Sequence, residues 1–247
     1  GSAGGFQGAV EMCNNNGACR KLKGGVMCPS FRVTRKEQDL TRGRANTLRL
    51  AISGQLGPDA LTSDEMAQTM KLCVSCKGCK LECPTGVDMA RMKVEVQAAT
   101  VRKSGLKLQE RLTAFLPRYA PIAARMPFLA NLRNTFPGLA KLTESLTGFT
   151  ATRKLPTWAT RPFKNSEASE SESPQAVVFA DCFNRYFEPE NLRATFKVME
   201  AADVPVHLAK ARKGERPLCC GRTFLSAGLI DEAKVEAQRL VDALMPY

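Results

Sequence analysis

Cys73-Val74-Ser75-Cys76-Lys77-Gly78-Cys79-Lys80-Leu81-Glu82-Cys83-Pro84 is the stretch that decides how this chain is read. Its spacing, C-x2-C-x2-C-x3-C-P, puts three thiols on one tight loop and a fourth directly before a proline. Such a run holds three corners of a 4Fe–4S cube, and its last cysteine ligates a neighbouring cluster. The loop has to fold around the cube and turn amide N–H groups toward the sulfides. Gly78 relieves crowding there, and Pro84 turns the chain out of the site. A structural zinc site would instead take two separated C-x2-C pairs.

Upstream stands a degenerate partner, Cys13-Asn14-Asn15-Asn16-Gly17-Ala18-Cys19, with Cys28-Pro29 following. When the two loops are aligned, Asn16 takes the place of the middle cysteine. Under the ligand exchange of two-cluster ferredoxins, Cys28 completes a 4Fe–4S site with Cys73, Cys76 and Cys79, and Cys83 joins Cys13 and Cys19. Three thiolates imply either a 3Fe–4S cluster or a 4Fe–4S cluster with one non-cysteine ligand. One thiolate fewer means less negative charge, which raises the potential. Asn16 and the backbone amides around Gly17 and Gly78 are the candidate tuners of the two sites.

The residues between and after these loops read as helices. Leu40, Thr47, Leu48, Ala51 and Ile52 share a helical face that Gly54 and Gly57-Pro58 terminate. Thr62-Ser63-Asp64-Glu65 reads as a capping box for a helix through Met66, Met70 and Leu72. Asp88 caps a third helix with Met89, Met92, Val96 and Ala99, closed near Gly105. Helices around two cysteine motifs make an α-helical ferredoxin module over residues 1–105.

Cys13-Asn14-Asn15-Asn16-Gly17-Ala18-Cys19-Arg20-Lys21, Met27-Cys28-Pro29-Ser30-Phe31-Arg32, Thr41-Arg42-Gly43-Arg44-Ala45 and residues 72–89 together resemble the iron–sulfur part of FAD-linked 2-hydroxyacid dehydrogenases of the D-lactate, glycolate or D-2-hydroxyglutarate type. The resemblance covers roughly residues 6–103. It implies a flavin domain outside this sequence that oxidises a 2-hydroxy acid. The electrons would then pass to a quinone, a cytochrome or another redox acceptor. Under that reading the hydride step, and every catalytic residue, lies outside this stretch. Related modules are separate subunits of glycolate oxidase and glycerol-3-phosphate dehydrogenase-like complexes, which keeps that arrangement open. The reading from another class is a non-redox interaction module stapled by structural clusters.

The chain has 247 residues with 36 Lys+Arg, 24 Asp+Glu, ten Cys and one His. An apolar fraction of 44% excludes wholesale disorder, and a single histidine argues against His-based acid–base chemistry. His207 is expected to pack rather than catalyse, and Trp158 to anchor packing. No run of about 20 uncharged apolar residues is present, so no membrane-spanning helix is expected. Gly1-Ser2-Ala3-Gly4-Gly5 offers neither a start Met nor a signal peptide, so a cytoplasmic piece of a longer protein is expected. Ten cysteines without an export signal suit metal binding better than disulfides.

Residues 1–84 carry net +5, residues 85–164 net +10 and residues 165–247 net −3. The basic extension, 106–164, mixes apolar residues with spaced arginines, and Pro117, Pro121, Pro127 and Pro137 restrict it to short helices. It reads either as helices packed on the ferredoxin core with solvated arginines, or as a peripheral contact with an anionic membrane surface. Nucleic acid is the weakest reading, since aromatics make up only 6% and no base-reading motif accompanies the charge.

Residues 165–174 read as an acidic, disordered linker. Beyond it, residues 175–247 alternate strand, helix, strand and helix, the last helix over 227–244 with Leu229, Ala233, Val235, Leu240 and Leu244 on its apolar face, which means a parallel α/β unit. Cys182 follows the first strand and Cys219-Cys220-Gly221 lies on a later loop. This resembles one half of the CCG cysteine-rich domain of heterodisulfide reductase-like proteins, without its downstream C-x2-C. The resemblance implies that Cys182, Cys219 and Cys220 hold a further cluster or form a redox site. Inert loop thiols are the other reading. The fold expected is therefore mainly α, an α-helical two-cluster ferredoxin domain followed by a partial α/β CCG-type domain.

Overall fold

A computed structural model describes residues 4–168, 171 and 173–247. Among the expected linker residues, Ser169, Glu170 and Glu172 lie outside the described ones. The chain divides into two compact units, Gly1–Gly105 and Leu106–Tyr247.

The first unit is helical throughout, with α1 Gly5–Glu11, α2 Pro29–Thr34, α3 Thr41–Ile52, α4 Asp64–Lys71, α5 Gly78–Glu82 and α6 Met89–Ser104. Helix α2 starts on Pro29, whose fixed φ suits a first helical position. The Ser63 hydroxyl accepts the Met66 N–H at the start of α4. Met66 is three residues on from Ser63, so the expected capping box reduces to a single cap. Asp88 caps α6 through the Arg91 N–H, and Gly105 ends it with φ 73°. Leu40, Leu48, Met66, Met89, Met92 and Val87 form the dry interior. Each such side chain contributes about 1.5–3 kcal/mol through burial. Thioethers adapt to irregular gaps, which suits a core that must close around loops rather than around regular elements.

The second unit begins with four short helices, α7 Leu108–Ala114, α8 Leu116–Ala123, α9 Pro127–Thr135 and α10 Pro137–Thr147. Prolines at or near their first turns set their lengths. Then come β1 Ala176–Val178, α11 Cys182–Tyr186, α12 Pro189–Ala201, β2 Val206–Leu208, α13 Arg222–Ser226 and α14 Ile230–Leu244. β1 pairs parallel to β2, with Val177 opposite His207, and α12 is the crossover. Leu192 and Phe196 of α12 are buried beside Val206 and Leu208.

Three expectations differ here. The segment expected to be a disordered linker carries structure at its described positions. Asn165–Glu167 forms a 3-10 turn, Glu167 pairs with Arg193 at 2.7 Å, and Ser171 N–H donates to the Val206 carbonyl at 3.0 Å. Glu167 there meets an arginine, and the backbone of Ser171 meets a strand, so at these described positions a low-complexity composition does not prevent ordering. The last helix, expected over 227–244, begins at Ile230 because Gly228 adopts φ 80°, and a separate short helix, α13, precedes it. Within α14, Val235 is exposed and Glu236 is buried, held by Arg216 and by Arg239 at 2.7 Å.

Candidate metal centre

Cys73 and Cys76 lie on the loop between α4 and α5, Cys79 is in α5, and Cys28 immediately precedes α2. The four line one small pocket, with Arg44, Thr41 and Met89 among its other walls. Cys28 and Cys79 are buried, Cys73 is half-buried and Cys76 is exposed. The tie that carries Cys28 to the loop is Glu82 at the end of α5. Its carboxylate accepts the N–H of Val26 and, at 3.1 Å, that of Met27. These two bonds hold the Glu82 carboxyl below its ordinary value. A Cβ on Gly78 would stand 2.9 Å from Val26 Cγ2 and 3.4 Å from the Met27 nitrogen. Only glycine lets the two segments approach this closely.

The surroundings favour sulfur in its anionic form. Arg44 Nη1 lies 3.7 Å and Thr41 Oγ1 3.9 Å from Cys28 Sγ, and the Met89 N–H donates to Cys79 Sγ at 3.4 Å. Burial pushes the Cys79 thiol up, so a thiolate there depends on such donors. Arg44 is wholly buried. It also donates to the Thr69 carbonyl at 2.9 Å and to Ser30 Oγ at 3.2 Å, and stands 4.0 Å from the Asp39 carboxylate. Lys93 Nζ donates to the Cys73 carbonyl at 2.6 Å. Burial lowers the Lys93 pKa, and charge on Cys73 works against that. Among the described residues, no three Cys, His, Asp or Glu side chains converge on a single-ion position. Instead four cysteines line one pocket whose wall also contains two cations, Arg44 and Lys77. That donor set fits an anionic, all-sulfur-ligated group larger than one ion, as an iron–sulfur cluster is.

The second loop pair is arranged differently. Cys13 follows α1 and is buried, and Cys19 is buried in the 3-10 turn Ala18–Arg20. Burial raises the Cys19 thiol, and Arg42 works against it while also feeling Cys13, so the two thiols share one arginine. Arg49 donates to the Cys13 carbonyl at 2.7 Å. Asn16 is exposed, and its side-chain oxygen caps the Ala18 N–H at 2.9 Å. Gly17 adopts φ 77°, and a Cβ on it would stand 3.3 Å from Arg42 Nη1. Cys83, like Cys73, packs partly buried against the one core cluster that contains Cys13, Cys19, Cys28 and Cys79, so this packing does not assign it to either loop. Burial raises the Cys83 thiol, but the Thr85 hydroxyl and the N–H groups of Val87, Thr85 and Gly86 outweigh it and bring it below its ordinary value.

The three remaining cysteines meet in the second unit. Cys182 opens α11 behind Asp181, whose carboxylate caps the N–H groups of Phe183 and Asn184 at 2.9 and 3.2 Å. A hydrogen bond from the Cys219 thiol lowers Cys182, and the same bond pushes Cys219 up to about 11. Cys219 in turn raises Cys220. Cys182 and Cys219 are buried, and Cys220 is exposed. His207 stacks on Tyr247 at 4.1 Å, and Trp158 packs on Phe187 at 4.4 Å.

Arg44, Glu82, Lys93 and Thr85 escape the sequence reading. Arg44 leaves a trace, because Leu40, Arg44 and Leu48 fall four residues apart on the apolar stripe of α3. A cation at such a position needs a buried anion. Glu82 leaves none, because its partners lie 55 and 56 residues away in the chain.

Residues 9–87 match the family model described as the 4Fe-4S dicluster domain. The mostly helical chain therefore carries a dicluster, ferredoxin-like iron–sulfur domain. Among curated proteins, it is similar to the D-2-hydroxyglutarate dehydrogenase of Escherichia coli (strain K12), 26% identical over 178 residues, 58% of this chain and 17% of that protein. The D-2-hydroxyglutarate dehydrogenase of Pseudomonas putida is 25% identical over an alignment of 258 positions, 86% of this chain and 26% of that protein. That of Pantoea ananatis is 25% identical over 161 residues, 51% and 16% of the two chains. The chain spans only about a sixth to a quarter of the length of these relatives. No solved structure matches it.

Proposed function

We propose that this chain is the electron-relay part of a flavin-linked 2-hydroxyacid dehydrogenase, with 2-hydroxyglutarate as the first substrate to test. In this reading electrons arrive from an FAD-binding domain or subunit outside this sequence and leave to a quinone or a cytochrome. The observation that carries it is the meeting of Cys28 with Cys73, Cys76 and Cys79 at one pocket whose wall also contains Arg44 and Lys77. The similarity to three D-2-hydroxyglutarate dehydrogenases supports the substrate class.

Bound by thiolates, an iron–sulfur cluster supplies one-electron transfer at a potential set by net charge, hydrogen bonds and exposure. The chain's own residues set those quantities. Cys28, Cys73, Cys76 and Cys79 hold a 4Fe–4S cluster, and Cys13, Cys19 and Cys83 hold a second, three-thiolate one. Arg44, Thr41 and the Met89 N–H donate toward sulfur at the first site. Thr85 and the neighbouring N–H groups do so at Cys83, with Arg42 beside Cys13 and Cys19. Met27, Met66, Met70, Met89 and Met92 keep the interior behind the loops dry. Cys182, Cys219 and Cys220 form a third ligand or redox group in the second unit.

The test is anaerobic purification with iron and acid-labile sulfide analysis. EPR is then recorded after dithionite and after re-oxidation with a soluble quinone analogue or cytochrome c. The expected result is one signal that appears on reduction and a second, distinct one that changes reversibly with it, appearing on reduction for a 4Fe–4S cluster or lost on reduction for a 3Fe–4S cluster, with both reversed by the acceptor. Clusters that bind but never cycle would defeat the relay and leave a structural role.

A further inference from the structure

Helix α9 is amphipathic in the inverted sense. Its polar face is turned to the protein, where Asn131 and Asn134 act as a surrogate strand for the extended segment 155–158. Asn131 accepts the Trp158 N–H and donates to the Trp158 carbonyl, both at 2.9 Å. Asn134 does the same for Leu155 at 3.0 and 2.8 Å. Arg133 donates to Thr143 Oγ1 of α10 at 2.8 Å and to the carbonyls of Phe149 and Thr150. The apolar face is left outside, and no residue of α9 is buried. Phe128 is 74% and Leu129 54% exposed. With Leu132 and Phe136 they follow helical spacing along one stripe.

Its neighbour α10 repeats the pattern. Leu142 and Leu146, one turn apart, are 57% and 66% exposed, while Ala140 is its one buried residue. A soluble helix ordinarily buries its leucines and solvates its amides. Exposed apolar side chains gathered on one element mark an interaction surface.

The charge around this hairpin indicates what covers it. Residues 116–163 contain seven Lys and Arg against one acidic residue, Glu144. Arg125, Lys141, Arg153 and Lys154 are exposed, and among the described residues none has a carboxylate partner. An exposed Phe/Leu stripe in a stretch this rich in unpaired cations is the composition of a helix that lies in the headgroup region of an anionic bilayer. No described helix is long and apolar enough to cross a membrane, so any contact made by this hairpin is interfacial.

We infer that the α9–α10 hairpin docks the chain on an anionic lipid surface, with Phe128, Leu129, Phe136, Leu142 and Leu146 entering the headgroup region and the surrounding Arg and Lys contacting phosphates. The contact needs no cluster, so it stands or falls separately from the redox reading. The full chain is incubated with phosphatidylcholine vesicles with or without about one-third phosphatidylglycerol and then centrifuged. Binding to the anionic vesicles should exceed that to neutral ones by about tenfold or more at low salt, and fall as salt rises. The F128S/L146S double variant, altered only at exposed positions, should lose about tenfold in binding with an unchanged circular dichroism spectrum. Phe128→Trp should keep binding, and its added fluorescence should shift to the blue on anionic vesicles alone. Equal partition onto neutral vesicles, undiminished binding of the double variant, or an unshifted Trp signal would overturn the inference. So would a lipid-free dimer that the double variant makes monomeric, because a second copy would then cover the face.

Discussion

Two loops of this chain share a backbone and differ in their donors. In 13–19 and in 73–79, the third and fifth positions have positive φ: 64° at Asn15 and 55° at Ser75, then 77° at Gly17 and 60° at Lys77. Left-handed residues at the same two places curl each loop so that its interior amides and side chains face one concavity. At the fourth position, where 73–79 has Cys76, 13–19 has Asn16, whose side-chain oxygen is occupied by the Ala18 N–H. The loops also differ in the cation behind them. Arg44 is fully buried against Cys28, whereas Arg42 is shared between Glu37, at 2.6 Å, and the backbone of Asn15. The same loop backbone thus forms with Cys or Asn at its fourth position. What distinguishes the two loops is thiol number and the depth of the cation behind them.

The comparison can be broken or sharpened experimentally. The largest effect belongs to Cys79→Ser, which removes a buried ligand of the four-thiolate site. Iron content should drop to about half, with only the other site's EPR signal retained. Loss of both signals would mean that the two sites do not assemble independently.

Arg44→Met comes next. It leaves Asp39 buried without its cation and the Cys28 sulfur without its donor. Urea denaturation should report a loss of about 3–5 kcal/mol. The reduction potential of the four-thiolate site should fall while the other stays in place. Parallel shifts at both sites would show that Arg44 acts on the fold rather than on Cys28.

Asn16→Cys restores the missing thiol on a backbone already curled to present it. The potential of that site should drop on the order of 100 mV as one negative charge is added. Iron per chain should rise if the site holds a three-iron cluster. An unchanged redox titration would mean that position 16 stays on its capping bond and takes no part in ligation.

Glu82→Gln is the mildest change, and its sign with pH is defined. The Glu82 carboxyl lies below its ordinary value of 4.5 in the folded chain. Its contribution is therefore present above about pH 4.5 and is lost as pH falls through the lower folded value. The metal-free chain should be less stable at pH 7 when Glu82 is replaced, and the difference should shrink as pH falls, which makes the acid limb shallower. An identical acid limb would remove the carboxylate as the clamp on the 25–28 segment.

Much of the fold was legible because its signals are local. Gly54 and Gly105 close α3 and α6, Ser63 and Asp88 open α4 and α6, and the prolines of the basic extension limit its helices. All act within one turn of the chain. The misreadings came from longer range. The acidic segment 165–174 looked disordered by composition, yet Arg193 and the β2 backbone supply partners that its own residues lack. Val235 looked inward by spacing, but α14 instead turns Glu236 inward to meet two arginines. The α9 stripe shows the same limit, since spacing reveals an amphipathic helix without revealing which face the protein keeps.

What the sequence determines is local: ten cysteines, their spacing and the intervening Asn16 fix where thiols stand in each loop. Thiol selectivity and loop curvature are intrinsic to residue type and short separations, which is why they survive without a partner. Charge compensation and grouping belong to the tertiary structure. Arg44 is a cation at the four-thiol cavity only because α3 packs its apolar stripe inward, and Cys28 stands there only because Glu82 holds the preceding backbone. Both depend on residues distant in the chain, whose meeting is decided by burial and hydrogen-bond satisfaction over the whole unit rather than by any local pattern.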